Sequence, residues 1–161
     1  MSPSIAVHNR QRAIKIDIAG LQRFAERAQE LALKLRAWKA RRKELSHVDV
    51  MLVSDRRMSE LHQRFLQIDG PTDVITFQHG EIFISVETAR RQARTFGTSL
   101  KDELRLYLVH GLLHLRGFDD KVASSARVMR GTQEKIVREA SKERRLPSRR
   151  PNMGALESAP P

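Results

Sequence analysis

From Leu21 onward the apolar side chains Leu21, Phe24, Ala28, Leu31, Leu35 and Trp38 recur at steps of three and four. They therefore share one face of a long helix whose opposite face is rich in arginine and lysine. The stripe ends in Arg41, Arg42 and Lys43, too soon for a coiled coil, and predicts a helix packed on a sheet. Ahead of it, Ile5 to Asn9 alternates as a short strand, and Gln11 to Ile18 either extends that strand or loops into the helix. Val48 to Val53 reads as a buried strand, after which Ser54-Asp55 supplies cap chemistry for a helix carrying Met58, Leu61, Phe65 and Leu66. Asp69-Gly70-Pro71 is turn punctuation, and the β-branched and aromatic run Asp73 to Phe77 predicts a strand. Gln78-His79-Gly80 turns the chain again before a second short strand, Ile82 to Ser85, so the two pair as an antiparallel hairpin at the sheet edge.

Val86 to Phe96 has a helical pattern that stops at Gly97, and Thr98 or Ser99 can cap the helix that follows. In that next helix Leu104, Leu106, Leu108, Val109, Leu112, Leu113 and Leu115 are apolar nearly all the way round, the mark of a helix at the centre of a domain, with Gly117 as its stop. A last helix from Val122 to Ala140 buries Ala126, Met129, Ile136 and Val137. The pattern predicts an α+β fold with a small mixed sheet of about four strands, one of them an antiparallel edge, flanked by about five helices. A length of 161 residues suits one domain, assigned to 1–140, with 141–161 as a basic Pro/Arg/Ser-rich tail lacking fixed structure.

Charge narrows the partner class. Thirty lysines and arginines against 19 acids give a formal net charge of +11, which favours a polyanion, and nucleic acid over a merely basic domain. The absence of cysteine excludes disulfides, thiolate nucleophiles and Cys-ligated zinc, so any metal must be held by His, Asp, Glu or carbonyl oxygen. No apolar run approaches the ~20 residues of a membrane span, and Met-Ser-Pro-Ser lacks a basic start to a signal peptide, so a cytoplasmic protein with no membrane partner is expected.

His110 and His114 stand four residues apart on the buried helix and project from one face, close enough to share a metal. Alternatively they are two hydrogen-bonded core histidines. Gly117 can take a positive φ that turns the chain back toward them, and Asp120 follows three residues later, giving ligands at i, i+4 and i+10. Asp119 is a substitute ligand in another register, and both aspartates can equally be the polar loop after a helix. Zinc held by three protein ligands keeps a fourth position for water and lowers its pKa, which suits hydrolysis. The spacing is that of metzincin peptidases, but Gly111 occupies the position of their essential glutamate. That substitution argues against a peptidase and leaves phosphodiester hydrolysis, where a metal and cations stabilise the developing charge.

The string His110-Gly111-Leu112-Leu113-His114-Leu115-Arg116-Gly117-Phe118-Asp119-Asp120 resembles the HGxLHLxGYDH signature of the YbeY family of bacterial ribosomal-RNA maturation factors, departing from it at its end. Pro71-Thr72-Asp73-Val74-Ile75-Thr76-Phe77 is similar to that family's PTDVLSF, and further likeness lies in Glu81 to Ser85 and in Met129, Gln133 and Glu134, so the resemblance runs from about residue 4 to 140. It implies a single-strand-specific metallo-endoribonuclease acting in 16S rRNA 3′-end maturation and ribosome quality control. Its implied partners are single-stranded RNA, rRNA and the small ribosomal subunit rather than DNA. It also implies one zinc per chain at His110, His114 and the position of Asp120, where the family has a third histidine. Aspartate is a competent ligand that makes the site harder and more anionic, so another divalent metal is also open. An arginine that the family carries upstream of PTDVLSF is Leu66 here, which leaves Arg64 and Arg116 as local candidates to hold a phosphate. These two departures define the alternative of an rRNA-binding assembly factor with little or no catalysis.

The remaining histidines, His8, His47, His62 and His79, show no ligand spacing and read as surface or loop residues, as Trp38 reads as core. Few aromatic residues means no evident stacking platform for bases. Arg144, Arg145, Arg149 and Arg150 in the tail add a nonspecific, salt-sensitive attraction for RNA.

Overall fold

The computed structural model describes residues 3–35 and 45–142. Strand β1 (Ser4–Asn9) leads through a loop to helix α1 (Ile18–Leu33), then β2 (His47–Val53), α2 (Asp55–Leu66), β3 (Val74–Phe77), β4 (Glu81–Ser85), α3 (Val86–Phe96), α4 (Leu100–Leu115) and α5 (Ala123–Ser141). The sheet order is β1-β2-β4-β3, with β1, β2 and β4 parallel and β3 the antiparallel edge. The expected mixed sheet, edge hairpin and five helices are all present.

Local chemistry explains the boundaries. Ser54, Ser85 and Ser99 each accept a backbone N–H from the first turn of the helix they precede, which satisfies a donor that has no partner inside the helix. Gly97 closes α3 at φ 69°, and Gly117 follows α4 at φ 96°, conformations that side chains with a Cβ rarely adopt. Residues 10–17 do not extend β1. Gln11 donates to the Ile14 carbonyl and accepts from the Ile14 N–H, so its buried side chain folds the segment into a turn. Helix α1 starts three residues before Leu21, because Asp17 accepts from Gly20 N–H and caps it there. The described part of α1 ends at Leu33, and Trp38 lies outside the described residues.

One face of the sheet, carrying Ile5, Val7, Val50, Leu52, Ile82 and Ile84, is covered by α1 and α4. The other face carries Val53, Ile75 and Phe83 against Met58 and Leu61 of α2. The sheet, α1, α3 and α5 all touch α4, so its near-uniform apolar surface is buried as its composition predicted. At Gly111 a Cβ would lie 2.7 Å from Ile82 of β4, so the glycine is what allows α4 to approach the sheet this closely. Helix α5 runs through Ser141, one residue into the segment read from sequence as tail; the rest of that tail beyond Lys142 lies outside the described residues.

Candidate metal centre

The last turns of α4 project His110 and His114 toward the loop that leads to α5. Their rings are nearly perpendicular, with centroids 4.6 Å apart, and their Nε2 atoms are 3.0 Å apart. Gly117 reverses the chain, and Phe118, buried, bonds its N–H to the Leu113 carbonyl. That reversal delivers Phe118 O to His114 Nδ1 at 3.0 Å and brings Asp120 Oδ2 to 4.0 Å from His110 Nε2. One ligand atom from each of His110, His114 and Asp120 lies within 4.8 Å of the others. Asp119 has different work, for its Oδ1 accepts from Lys121 N–H and from Ser125 Oγ at the start of α5. The fold turns Asp120, the aspartate expected from the i+10 spacing, to the histidines, and occupies the alternative Asp119 elsewhere.

The hydrogen bond to a backbone carbonyl fixes the tautomer of His114, and the contact with Gln133 orients the ring of His110. A backbone carbonyl only accepts, so His114 carries its proton on Nδ1 and leaves a lone pair on Nε2. His110 Nδ1 faces Gln133 Oε1 of α5 at 2.8 Å, and with the carboxamide oxygen as acceptor its Nε2 is likewise left with a lone pair. Burial, and after it the neighbouring His110, lower the His114 pKa below the ordinary histidine range, against the opposing pull of the Phe118 carbonyl and of Asp120 and Asp119. Neutral rings with Nε2 lone pairs converging on one point repel unless a cation lies between them. With metal–nitrogen bonds of ~2.0–2.1 Å, two such rings are close to the separation found here. The donor set of two imidazoles and a carboxylate therefore fits a divalent metal, with Gln133 and Phe118 O as the groups that orient the rings.

The two arginines read as phosphate contacts occupy different surroundings. Arg116 directly follows α4, and its Nη2 donates to the Leu35 carbonyl at 2.9 Å, tying the end of α4 to the end of α1. Arg64 is exposed on the last turn of α2, its guanidinium 5.5 Å from the Phe65 ring centroid. Phe65 packs edge-on to Phe77, which stacks with His79, itself 2.6 Å from Glu81. Sequence reasoning missed this small aromatic cluster, because its members come from α2, β3 and the following turn. It also gave Gln133 no role, since the residue stands on another helix from the histidine it orients.

A helix bearing two histidines at i and i+4, a turn that returns a carboxylate to them, and a mixed sheet with an antiparallel edge define an α+β protein with a candidate three-ligand metal centre. The family model described as Endoribonuclease YbeY matches residues 6–141, and the chain belongs to that family. The Endoribonuclease YbeY of Syntrophus aciditrophicus is 36% identical over 132 residues, covering 74% of this chain and 77% of that protein. Those of Nautilia profundicola, 37% identical over 99 residues, and Bacteroides thetaiotaomicron, 35% over 102, cover 56% and 59% of this chain and 70% and 74% of their own. The solution structure of TM1509 from Thermotoga maritima superposes with a TM-score of 0.61 at 29% identity, over 84% of this chain and 88% of that one.

Proposed function

We propose that this chain is a metal-dependent endoribonuclease of single-stranded RNA, with His110, His114 and Asp120 as ligands of one zinc. The observation that carries the proposal is the convergence of one ligand atom each from His110, His114 and Asp120, in a chain of the Endoribonuclease YbeY family. Gln133 and the Phe118 carbonyl hold the rings in the ligand form, and the Asp120 carboxylate offsets part of the metal's charge. A metal bound there supplies a Lewis acid for a phosphodiester oxygen and lowers the pKa of water. Arg64, whose guanidinium has no hydrogen-bond partner among the described residues, is the proposed phosphate contact. Arg116 is proposed to serve first as the tie to Leu35. The substrate inferred from the family is the 3′ region of 16S rRNA on the small ribosomal subunit, with a role in ribosome quality control in the cytoplasm. The domain is taken as residues 1–140, with 141–161 as an RNA-attracting extension.

Elemental analysis of chelator-free protein, paired with cleavage of a labelled single-stranded RNA, tests this. One zinc per chain and cleavage are expected for wild type, with both lost in Asp120→Ala and His114→Ala and both kept in Asp120→His. A wild type without metal that gains it in Asp120→His sinks the catalytic reading. A second reading, an rRNA-binding assembly factor with little turnover, is favoured by the Asp120 side chain being 52% exposed and by Leu66 standing where the family carries arginine. It requires ribosome maturation to continue undiminished in His114→Ala.

A further inference from the structure

A cavity of about 680 Å³ lies away from the metal centre, between residues 15–17, the first half of α1 and the first turns of α4. Five cations, Lys15, Arg23, Arg27, Lys101 and Arg105, line it against a single carboxylate, Asp17. Elsewhere on the molecule three exposed cations sit beside acids, Arg57 with Glu60, Arg91 with Asp55 and Lys142 with Glu139. Others, such as Arg64, have no such pair within the described residues; what sets this group apart is that five cations share one concavity. Here the side chains of Lys15, Arg23 and Lys101 make no hydrogen bond or ion pair among the described residues. Two of the five are fixed in place. Arg27 Nε donates to the Ala140 carbonyl at 2.7 Å, and the buried Arg105 lies 4.8 Å over the Phe24 ring. Asp17 is occupied at the start of α1 by the Gly20 N–H, 3.0 Å away.

Cations gathered in a concavity repel one another, and the low-dielectric walls concentrate their field on whatever anion enters. The N-terminal ends of α1 and α4, whose caps Asp17 and Ser99 both line the cavity, add partial positive charge of the same sign. The wall is not polar throughout, for the half-buried Ile16 and Leu100 contribute apolar surface that a bare inorganic anion would leave uncovered. Charge, apolar wall and volume together suit an organic phosphate, and the volume lies within the ~300–1,000 Å³ of small-molecule sites.

We propose that this cleft is a second, anion-binding site that takes a nucleoside phosphate, its phosphate on Arg23, Lys101 and Arg27 and its base against Ile16 and Leu100. It is independent of the catalytic reading. Lys101 and His114 are separated by about 20 Å along α4, and the two sites share no residue. The nucleoside phosphate is either free or one unit of an RNA strand, and the chemistry of recognition is the same.

The test uses the full chain with two probes, AMP and a fluorescein-labelled twelve-nucleotide single-stranded RNA. Arg23→Glu/Lys101→Glu reverses two exposed charges in the cleft, and Arg90→Glu/Arg94→Glu reverses two exposed charges on α3 as a control of equal charge. Losing two charge-assisted phosphate contacts should weaken binding by about tenfold or more, in the cleft variant alone. AMP shifting the amides of 15–23 and 99–105 assigns a free nucleotide as the source. RNA binding that depends on the cleft without AMP binding assigns the strand. Equal losses in the cleft and control variants, or no response of the cleft amides to either probe, overturn the proposal.

Discussion

Gln133 offers a metal no ligand of its own, yet it decides which nitrogen of His110 is available, because its Oε1 accepts the Nδ1 proton. Removing that acceptor in Gln133→Leu frees the ring to turn and to exchange tautomers. Metal affinity is expected to fall about 10–100-fold, with the melting temperature of the metal-free protein little changed, as a competition titration against a chromophoric chelator would report. If affinity is unchanged, Gln133 orients nothing. At Gly111 the sequence shows only that the peptidase glutamate is missing, whereas the packing shows that no side chain fits there. Even Gly111→Ala places a methyl 2.7 Å from Ile82, and it should destabilise the fold by about 1–3 kcal/mol in urea unfolding. The histidine pair was legible because helical spacing alone brings i and i+4 together. Asp120 was placed third by its i+10 position, but what keeps the alternative Asp119 away was not legible, since that depends on Lys121 N–H and Ser125 Oγ holding it at the start of α5.

Between elements, the same division holds. Helix α3 begins and ends where the sequence placed it, because a capping serine and a terminal glycine mark both ends. The start of α1 was read late, since Asp17 caps it within a stretch that shows no apolar period. Wholly illegible was the tie between α2 and α3. Asp55 Oδ1 accepts from Ser85 Oγ and Thr88 Oγ1 at 2.6 and 2.7 Å, Oδ2 accepts from Arg91 at 2.6 Å, and Glu87 accepts the Asp55 N–H in return. Burial pushes the Asp55 pKa up, but the hydrogen bonds from Arg91, Ser85 and Thr88 outweigh it and hold the carboxyl below its ordinary value. A depressed carboxyl pKa stabilises the fold fully above the unfolded value of about 3.9, and that contribution is lost as pH falls through the lower folded value. Asp55→Asn should therefore be less stable by about 1–2 kcal/mol at neutral pH, after discounting the exposed Arg91. It should also show a flatter fall in stability below about pH 4 than wild type. Parallel acid-unfolding curves for the two proteins would contradict the assignment.

Across the whole molecule, a net charge of +11 is not spread evenly in its consequences. Arg57 and Arg91 are electrostatically spent on neighbouring acids, whereas the cleft between α1 and α4 gathers five cations against the one carboxylate of Asp17. Arg144, Arg145, Arg149 and Arg150 fall within seven positions of one another, and Glu143 is the one acid beside them. Each arginine that neutralises a phosphate on a single strand releases counterion, contributing ~0.7 to the slope of log affinity against log salt. If all four engage RNA, a chain ending at Ser141 should bind single-stranded RNA with a slope shallower by about 3. It should match the full chain most closely at high salt, where the field is screened. Cleavage per bound RNA should not change, because His110, His114, Asp120 and Gln133 all lie within 110–133. Equal slopes for the two chains, measured by anisotropy across a salt series, would assign the attraction to the folded part, and the α1–α4 cleft would then be the first place to reverse charge.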